Sequence, residues 1–360
     1  MSEGAVSEQV LGRPLPLNAA ALAGLVRDGL FMRCGAYVRH DVRHGAAYVR
    51  QGSECPAGRD AVVSIGAFDG LHAGHRALIA AARHEADEKN LPCVVVTFDP
   101  DPDVLLAGEK PSSRLLATAD RVRAIESLGA DAVVVLRFDE GLAATSYQDF
   151  VTRVLGGLVR PVSIHVGTNF SVGAGGRGDV RALAAYCAGL GCDVHGHDLV
   201  TRGGSPVSST RIRGLLHEGA VEDAAELLGR LHFVRGAVEH GRGEGTAFGF
   251  PTANVRTSRV DCMPKAGVYA CVVCDGRHAW PAAVNVGKPP TFSAPEDNFL
   301  EANLVGFAGD LYGSEVSVLF ARWLRASRPF DSTEELERVV LGNIDWVRTN
   351  LGSCGVGVDA

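Results

Sequence analysis

A chain of 360 residues is longer than one core of ordinary size holds, which points to two domains or three. With 46% hydrophobic residues, 21% charged residues and a net charge of −7, neither a wholly disordered chain nor a protein built to coat nucleic acid fits. The 44 glycines follow no G-X-Y period, so collagen is excluded, and the excess belongs in loops, where a backbone can approach phosphates.

In chain order, residues 18–31 carry the pattern of one amphipathic helix, and residues 39–50 are rich in Arg, His and Tyr. Arg39, His40, Arg43, His44 and Arg50 read as a weak anion-binding arm or, more plainly, as a solvated extension packed on the first domain. The first strong strand signal is the apolar run 62–65. A turn follows, Gly66-Ala67-Phe68-Asp69-Gly70, and then a helix over 73–88 with Leu78, Ile79 and Ala82 on one face. Apolar strands at 93–98, 132–136 and 162–166 alternate with helices at 120–128 and 147–155. That alternation predicts βαβ units around a parallel sheet. Residues 212–228 read as a helical connector. Beyond about residue 229 the pattern becomes short strands, at 233–238, 267–274, 282–286, 301–305 and 315–320, which predicts a small barrel or sandwich. A closing helix over 332–350 is capped by Ser332, with Glu335 three residues on.

The nine cysteines are odd in number and scattered, so they make no disulfide framework. Cys187 and Cys192 lack a partner pair. Cys271 and Cys274 fall in an apolar run and read as core thiols, ahead of a redox or zinc role. A reducing compartment, and so a cytoplasmic location, is the expectation. No apolar run reaches about 18 residues, and the N-terminus lacks a signal-peptide pattern, so no membrane partner is expected.

The first chemical motif is His72-Ala73-Gly74-His75, directly after a strand and a glycine turn. Spacing i, i+3 puts both imidazoles on one face of a helix N-terminus. Unpaired N–H groups and the positive dipole end suit phosphate oxygens there. Gly74 removes a Cβ where a ligand would press on the backbone. Two plain histidines, or a metal pair, are the competing readings.

Residues 66–75 (GAFDGLHAGH) resemble the opening motif of the FMN adenylyltransferase domain in bacterial bifunctional riboflavin kinase/FMN adenylyltransferases, the FAD synthetases. Residues 166–173 (VGTNFSVG), with Gly178-Asp179, resemble that family's second motif, and residues 207–213 (VSSTRIR) its third, in the same order and spacing. Ser208, Ser209, Thr210 and Arg213 are donors suited to the charge of departing pyrophosphate. Alone, they would read as a serine N-cap followed by surface arginines.

Residues 240–254 (HGRGEGTAFGFPTAN) resemble the glycine loop and PTAN motif of riboflavin kinases. Gly241, Gly243, Gly245 and Gly249 can fold around nucleotide phosphates. Thr252 and Asn254 offer oxygen ligands of the kind Mg²⁺ takes. Residues 285–292 (NVGKPPTF) resemble the next kinase segment. Glu301 falls where the family carries its catalytic glutamate, with Asp310-Leu311-Tyr312-Gly313 after it. Such a carboxylate suits a hydroxyl that must lose its proton while attacking a γ-phosphate.

The resemblance covers about residues 61–350. It departs at Glu244 and Thr246, where relatives often carry basic residues, leaving Arg242 as the loop's cation. It departs again at Asn303, Gly306 and Asn343, in place of His, Asp and Asp, and at Ser171 and Val172, in place of Arg and Phe. It implies an α/β Rossmann-like nucleotidyltransferase domain (61–215), a helical connector (216–229) and a β-barrel riboflavin-kinase-like domain with a C-terminal helix (230–352). Residues 1–60 form an extension without an assigned role. The implied activity is FAD biosynthesis: ATP phosphorylates riboflavin to FMN, then adenylylates FMN to FAD with release of pyrophosphate, with Mg²⁺ as cofactor. In this reading Glu301, His72, His75 and Arg213 are catalytic, and Thr252 and Asn254 hold the metal. The nucleotide is bound by Gly66, Phe68, Asp69, Gly70, Gly74, Asn169, Ser208, Ser209, Thr210 and the four loop glycines. An adenylyltransferase with a degenerate kinase fold kept as a flavin-binding module, and a non-catalytic flavin sensor, are the alternatives. The partners are small molecules; the sequence sets no oligomeric state.

Overall fold

Strands made of unbroken valine and isoleucine runs need cover on both faces, and the first part of the chain supplies it with helices. The structure is a computed structural model that describes residues 39–42, 45–48, 58–106, 113–240, 250–287 and 298–357. The helix expected over 18–31, the arm residues Arg43, His44 and Arg50, the loop glycines Gly241, Gly243, Gly245 and Gly249, and residues 288–292 lie outside the described residues.

Strands β1 (Arg39–Val42) and β2 (Gly45–Tyr48) form an antiparallel hairpin. Strands β3 (Asp60–Ile65), β4 (Cys93–Asp99), β5 (Ala132–Arg137) and β6 (Arg160–Gly167) are the four that the apolar runs predict. A short ribbon, β7 (Ser171–Val172) with β8 (Gly178–Asp179), precedes a fifth parallel strand, β9 (Asp193–His197). The sheet order is β5-β4-β3-β6-β9, all parallel. Strand β9 escapes sequence reading because it is a half-exposed edge strand whose only large apolar side chain is Val194.

Helix α1 (Ala73–Lys89) follows β3 and buries Leu78, Ile79, Ala82 and Ala86. Next come α2 (Pro102–Leu106), α3 (Thr118–Ser127), α4 (Glu140–Ala143) and α5 (Tyr147–Asp149), the last running into a π-helical turn, Phe150–Leu155. Helix α6 (Val180–Ala188) packs beside β9. A ribbon of β10 (Thr201–Arg202) and β11 (Ser205–Pro206) leads to α7 (Ser209–Glu218) and α8 (Val221–Leu228). The core runs from Val63 and Ile65 through Val94 and Val134 to Phe150, Ile164, Leu183 and Cys187.

The chain leaves the central pair β3 and β6 in opposite directions: β4 and β5 lie on one side, β9 on the other. That divergence opens a crevice beyond the carboxyl ends of β3 and β6, where open parallel sheets take their ligands.

The second unit is a closed barrel. Strands β12 (His232–Glu239), β13 (Ala253–Thr257), β14 (Gly267–Cys274), β15 (His278–Val286), β16 (Asn298–Leu304) and β17 (Glu315–Arg325) run in the order β14-β17-β12-β13-β16-β15, and β15 pairs back with β14. Strand β13, which begins inside the segment that resembles the PTAN motif, carries its alternation in Val255 and Thr257, buried on either side of exposed Arg256. Cys271 and Cys274 are buried in β14, as core thiols should be. Helix α9 (Thr333–Asn350) begins at Ser332, whose hydroxyl accepts from the Glu335 amide at 3.2 Å. The Glu335 carboxylate accepts from the Asp331 amide at 3.0 Å, one residue short of the reciprocal capping box. Strand β18 (Val356–Gly357) adds to β15.

Residues 34–234 together with 258–265 group as one compact unit, and 235–257 with 266–360 in the other. The segment expected as a connector, 216–229, therefore belongs to the first unit, with Val221, Ala224, Leu227 and Leu228 buried. Ser332→Ala removes the cap of α9 and should destabilise the protein by about 1 kcal/mol. Urea unfolding followed by circular dichroism checks this, and an unchanged midpoint would show that the cap contributes nothing.

Candidate active sites

The first site grows out of the turn after β3. Gly66 donates its N–H to the Val96 carbonyl at 3.1 Å, which aims the chain out of the sheet. Phe68 then takes a left-handed conformation (φ 52°) and sets its ring edge-on to His75, centroids 5.4 Å apart. Gly70 has φ +79°, and a Cβ there would lie 2.8 Å from Leu115 Cδ1, so this position needs glycine. Helix α1 starts at once, with His72 as its N-cap: Nδ1 of His72 accepts from the His75 amide at 3.4 Å. The two imidazoles stack at 3.6 Å, 16° from parallel. Gly74 lets them do so, since a Cβ there would come within 3.2 Å of His72 Cε1.

Both rings are neutral in this setting. Burial pushes His72 down to about 4, with the Asp69 charge opposing and Arg76 adding to the fall. His75 is pushed well below the ordinary histidine value by burial, then by His72, Arg121 and Arg76. Because Nδ1 of neutral His72 is an acceptor, its proton sits on Nε2. Nδ1 of His75 is buried and has no hydrogen-bond partner among the described residues.

Beside this pair lies a cavity of about 580 Å³. Gly66, Phe68, His72, Gly74, His75, Asn169, Ser208 and Ser209 line it, as do Ser171 and Val172. Its apolar wall includes Phe98, Phe138, Leu142, Phe150 and Phe170. Ser208 also N-caps α7, accepting from the Arg211 amide at 3.2 Å.

Four expected nucleotide or catalytic positions lie outside the lining. Asp69 is 2% exposed, and its carboxylate accepts from the Leu115 amide (2.9 Å), the Leu116 amide (3.0 Å) and the Arg213 guanidinium (2.7 Å). Arg213 also donates through Nε to the Ser113 carbonyl at 2.6 Å. Gly70 offers its carbonyl to Arg230 at 2.9 Å. These residues form the frame behind the turn. Thr210 is exposed and also lies outside the lining. Sequence reading missed Arg121, 1% exposed, whose guanidinium meets the Ala67 carbonyl and Asp101 under the turn. It also missed His197, which lines the cavity from β9. The only sequence signal for His197 is the alternation His195-Gly196-His197.

The second site lies on the barrel's outer face. In antiparallel ladders, directly opposed residues share a face. Glu239 opposes Asn254, Asn254 opposes Glu301, and Glu301 opposes Asn285, so β12, β13, β16 and β15 present one polar row. Thr252 is half-buried just before β13. Asn303 is buried and donates through Nδ2 to the Pro251 carbonyl at 2.8 Å, which anchors the start of this motif. Gly306 has φ +77°, and a Cβ there would lie 2.5 Å from the Ser353 carbonyl oxygen. His240 stacks on Tyr312 at 3.8 Å.

The chain thus joins, in sequence, a parallel-sheet unit with stacked histidines beside a cavity to a closed six-stranded antiparallel barrel with a polar row on its strands. A family model described as FAD synthetase matches residues 55–211, and one described as riboflavin kinase matches residues 228–351. A bifunctional riboflavin kinase/FMN adenylyltransferase of Escherichia coli (strain K12) is 36% identical over 277 residues, 77% of this chain and 88% of the relative. One of Bacillus subtilis (strain 168) is 33% identical over 279 residues, 76% and 87% of the two chains. A crystal structure described as a macrolide-efflux protein from Streptococcus pneumoniae matches with a TM-score of 0.73 at 30% identity, over 82% of this chain and 96% of its own. Among the described residues, no helix is long and apolar enough to cross a membrane. The chain belongs to the bifunctional riboflavin kinase/FMN adenylyltransferase family.

Asp69→Ala leaves two amides and a guanidinium buried without their acceptor, and should cost about 3–5 kcal/mol of stability. Asp69→Asn keeps one acceptor and should cost less; thermal unfolding of both variants checks the order. The folded value of His72 lies below its unfolded value near 6.5, so the unfolded chain binds the extra proton between about pH 6.5 and pH 4. Stability of the ligand-free protein should therefore fall as pH drops through that window, by up to about 3 kcal/mol from this residue. His72→Asn should flatten the slope in urea titrations across that range.

Proposed function

We propose that the first unit transfers AMP from ATP to FMN, that the barrel phosphorylates riboflavin, and that the residues just described do the work. The observation that carries the first assignment is the partnerless, buried Nδ1 of His75 beside the cavity at a helix N-terminus. An orphaned polar atom of that kind costs about 1–3 kcal/mol, a cost that a bound oxyanion would relieve. In the adenylyl step an FMN phosphate oxygen bonds to the α-phosphorus of ATP, the bond to the β-phosphate oxygen breaks, and pyrophosphate leaves. The nucleophile is already an anion, so no side chain need take a proton. Positioning and charge stabilisation remain, and His72 Nε2–H, His75 and the amides of α1 supply them. An anion there favours the protonated imidazoles, so binding raises both depressed pKa values. Phe98, Phe138 and Phe170 give a flat ring an apolar wall. Arg213 is held by Asp69 and Ser113, and its role is to position the turn.

In the barrel, Glu301 takes the proton of the riboflavin 5′-hydroxyl as that oxygen bonds to the γ-phosphorus and ADP leaves. Thr252, Asn254 and the facing carboxylate of Glu301 are all oxygen donors, the set that suits Mg²⁺. Thr252 and Asn254 would hold it. When bound, Mg²⁺ neutralises phosphate charge.

His75→Ala should lower FAD formation from FMN by roughly 100-fold or more while FMN formation from riboflavin persists. Glu301→Gln should slow riboflavin phosphorylation by roughly 10²–10⁴-fold while FMN is still converted to FAD. Chromatography of products made from riboflavin or FMN with ATP reads both. Loss of both activities in either folded variant would contradict two separate sites.

A further inference from the structure

A second histidine cluster lies on the parallel sheet, apart from the stacked pair. His165 on β6 and His195 on β9 are register partners on neighbouring parallel strands. Glu85 reaches them from α1: its Oε2 lies 2.6 Å from His165 Nε2 and 3.4 Å from His195 Nε2. One ligand atom from each of the three falls within 4.8 Å of the other two. We propose that Glu85, His165 and His195 form a binding site for a zinc ion.

Two imidazoles and one carboxylate make a three-ligand zinc set that leaves a fourth position for water. Zinc bonds of about 2.0–2.2 Å place tetrahedral ligand atoms roughly 3.3 Å apart. The Glu85–His195 separation already has that value. The Glu85–His165 contact is shorter because it is a hydrogen bond, which zinc would open by a fraction of an ångström. His195 is the ligand able to close on the ion, since its side chain is 44% exposed, whereas His165 is buried at 4%. The exposed side also gives the ion its entry path and its water.

The surroundings hold these ligands in place. Lys89 pairs with the other oxygen of Glu85, Oε1, at 2.7 Å, which leaves Oε2 for the ion. His165 Nδ1 lies 2.9 Å from His197 Nε2. Without metal, the carboxylate accepts a hydrogen bond from His165 Nε2–H, so Nδ1 accepts one from His197. With zinc on Nε2, His165 carries its proton on Nδ1 and donates to His197. Such an outer hydrogen bond is what commonly fixes the ring of a metal-bound histidine. Both rings stay neutral and exchange tautomers, so the site gains no net proton.

Zinc titrated into the metal-free full chain against a chromophoric chelator tests the site, with Co²⁺ absorption as a probe of tetrahedral geometry. The expected result is one tight zinc per chain, weakened at least tenfold by His195→Ala and by Glu85→Gln. His84→Ala, an exposed histidine on the same helix, should bind zinc like the parent. His75→Ala should also keep the zinc, which separates this cluster from the stacked pair. Circular dichroism confirms that each variant is folded, and the half-exposed position of His195 makes that variant the safest. Failure to bind zinc at micromolar concentration, or binding indifferent to both His195→Ala and Glu85→Gln, would overturn the proposal.

Discussion

A carboxylate shut away from water has to be matched by donors, and Asp69 is matched by the amides of Leu115 and Leu116 and by the guanidinium of Arg213. The rest of the first site depends on that match. The carboxylate sits between two left-handed or glycine-only positions, Phe68 and Gly70, which the backbone would not hold unaided. Ser209 adds a bond from the start of α7 to the Asp69 carbonyl, at 2.8 Å. One short turn is thereby tied to the segment at 113–116 and to α7. Three residues later the stacked histidines emerge in a fixed position. The negative charge that would repel phosphates is neutralised behind the turn, where it organises the donors instead.

The two sites handle charge in opposite ways. The first keeps its histidines neutral, His72 buried and His75 half-buried, beside a cavity at a helix N-terminus. The second lays its polar groups across four strands on an outer face, alternating carboxylate and amide, so that no two acids oppose one another directly. An amide beside each carboxylate keeps the row polar without adding repulsion. Asn303 serves the backbone by anchoring Pro251.

What the sequence made legible follows from how local each signal is. The four predicted parallel strands, α1, the switch to a barrel and the cap at Ser332 are all written in neighbouring residues, as periodicity or as a capping pair. Strand β9 was hidden because an exposed edge does not require apolar residues, and β13 because its few residues were read as ligands. The contacts of Asp69 and Arg213 could not be read, since their partners Leu115, Leu116 and Ser113 lie some fifty to a hundred positions away and contribute backbone groups, which have no sequence signature. A carboxylate in a glycine turn near a phosphate motif looks like a ligand contact; only burial shows that it faces the other way. The meeting of Glu85 with His165 and His195 is of the same long-range kind.

The barrel has a kinetic consequence. Each of its six main strands is bonded on both sides, so none of them can peel away without breaking two ladders. Its opening should therefore be concerted, with the deepest amides of β14 and β17 exchanging their hydrogens together and last. A polar row drawn from four such strands inherits that rigidity: its donors keep their spacing on every timescale shorter than the opening of the whole barrel.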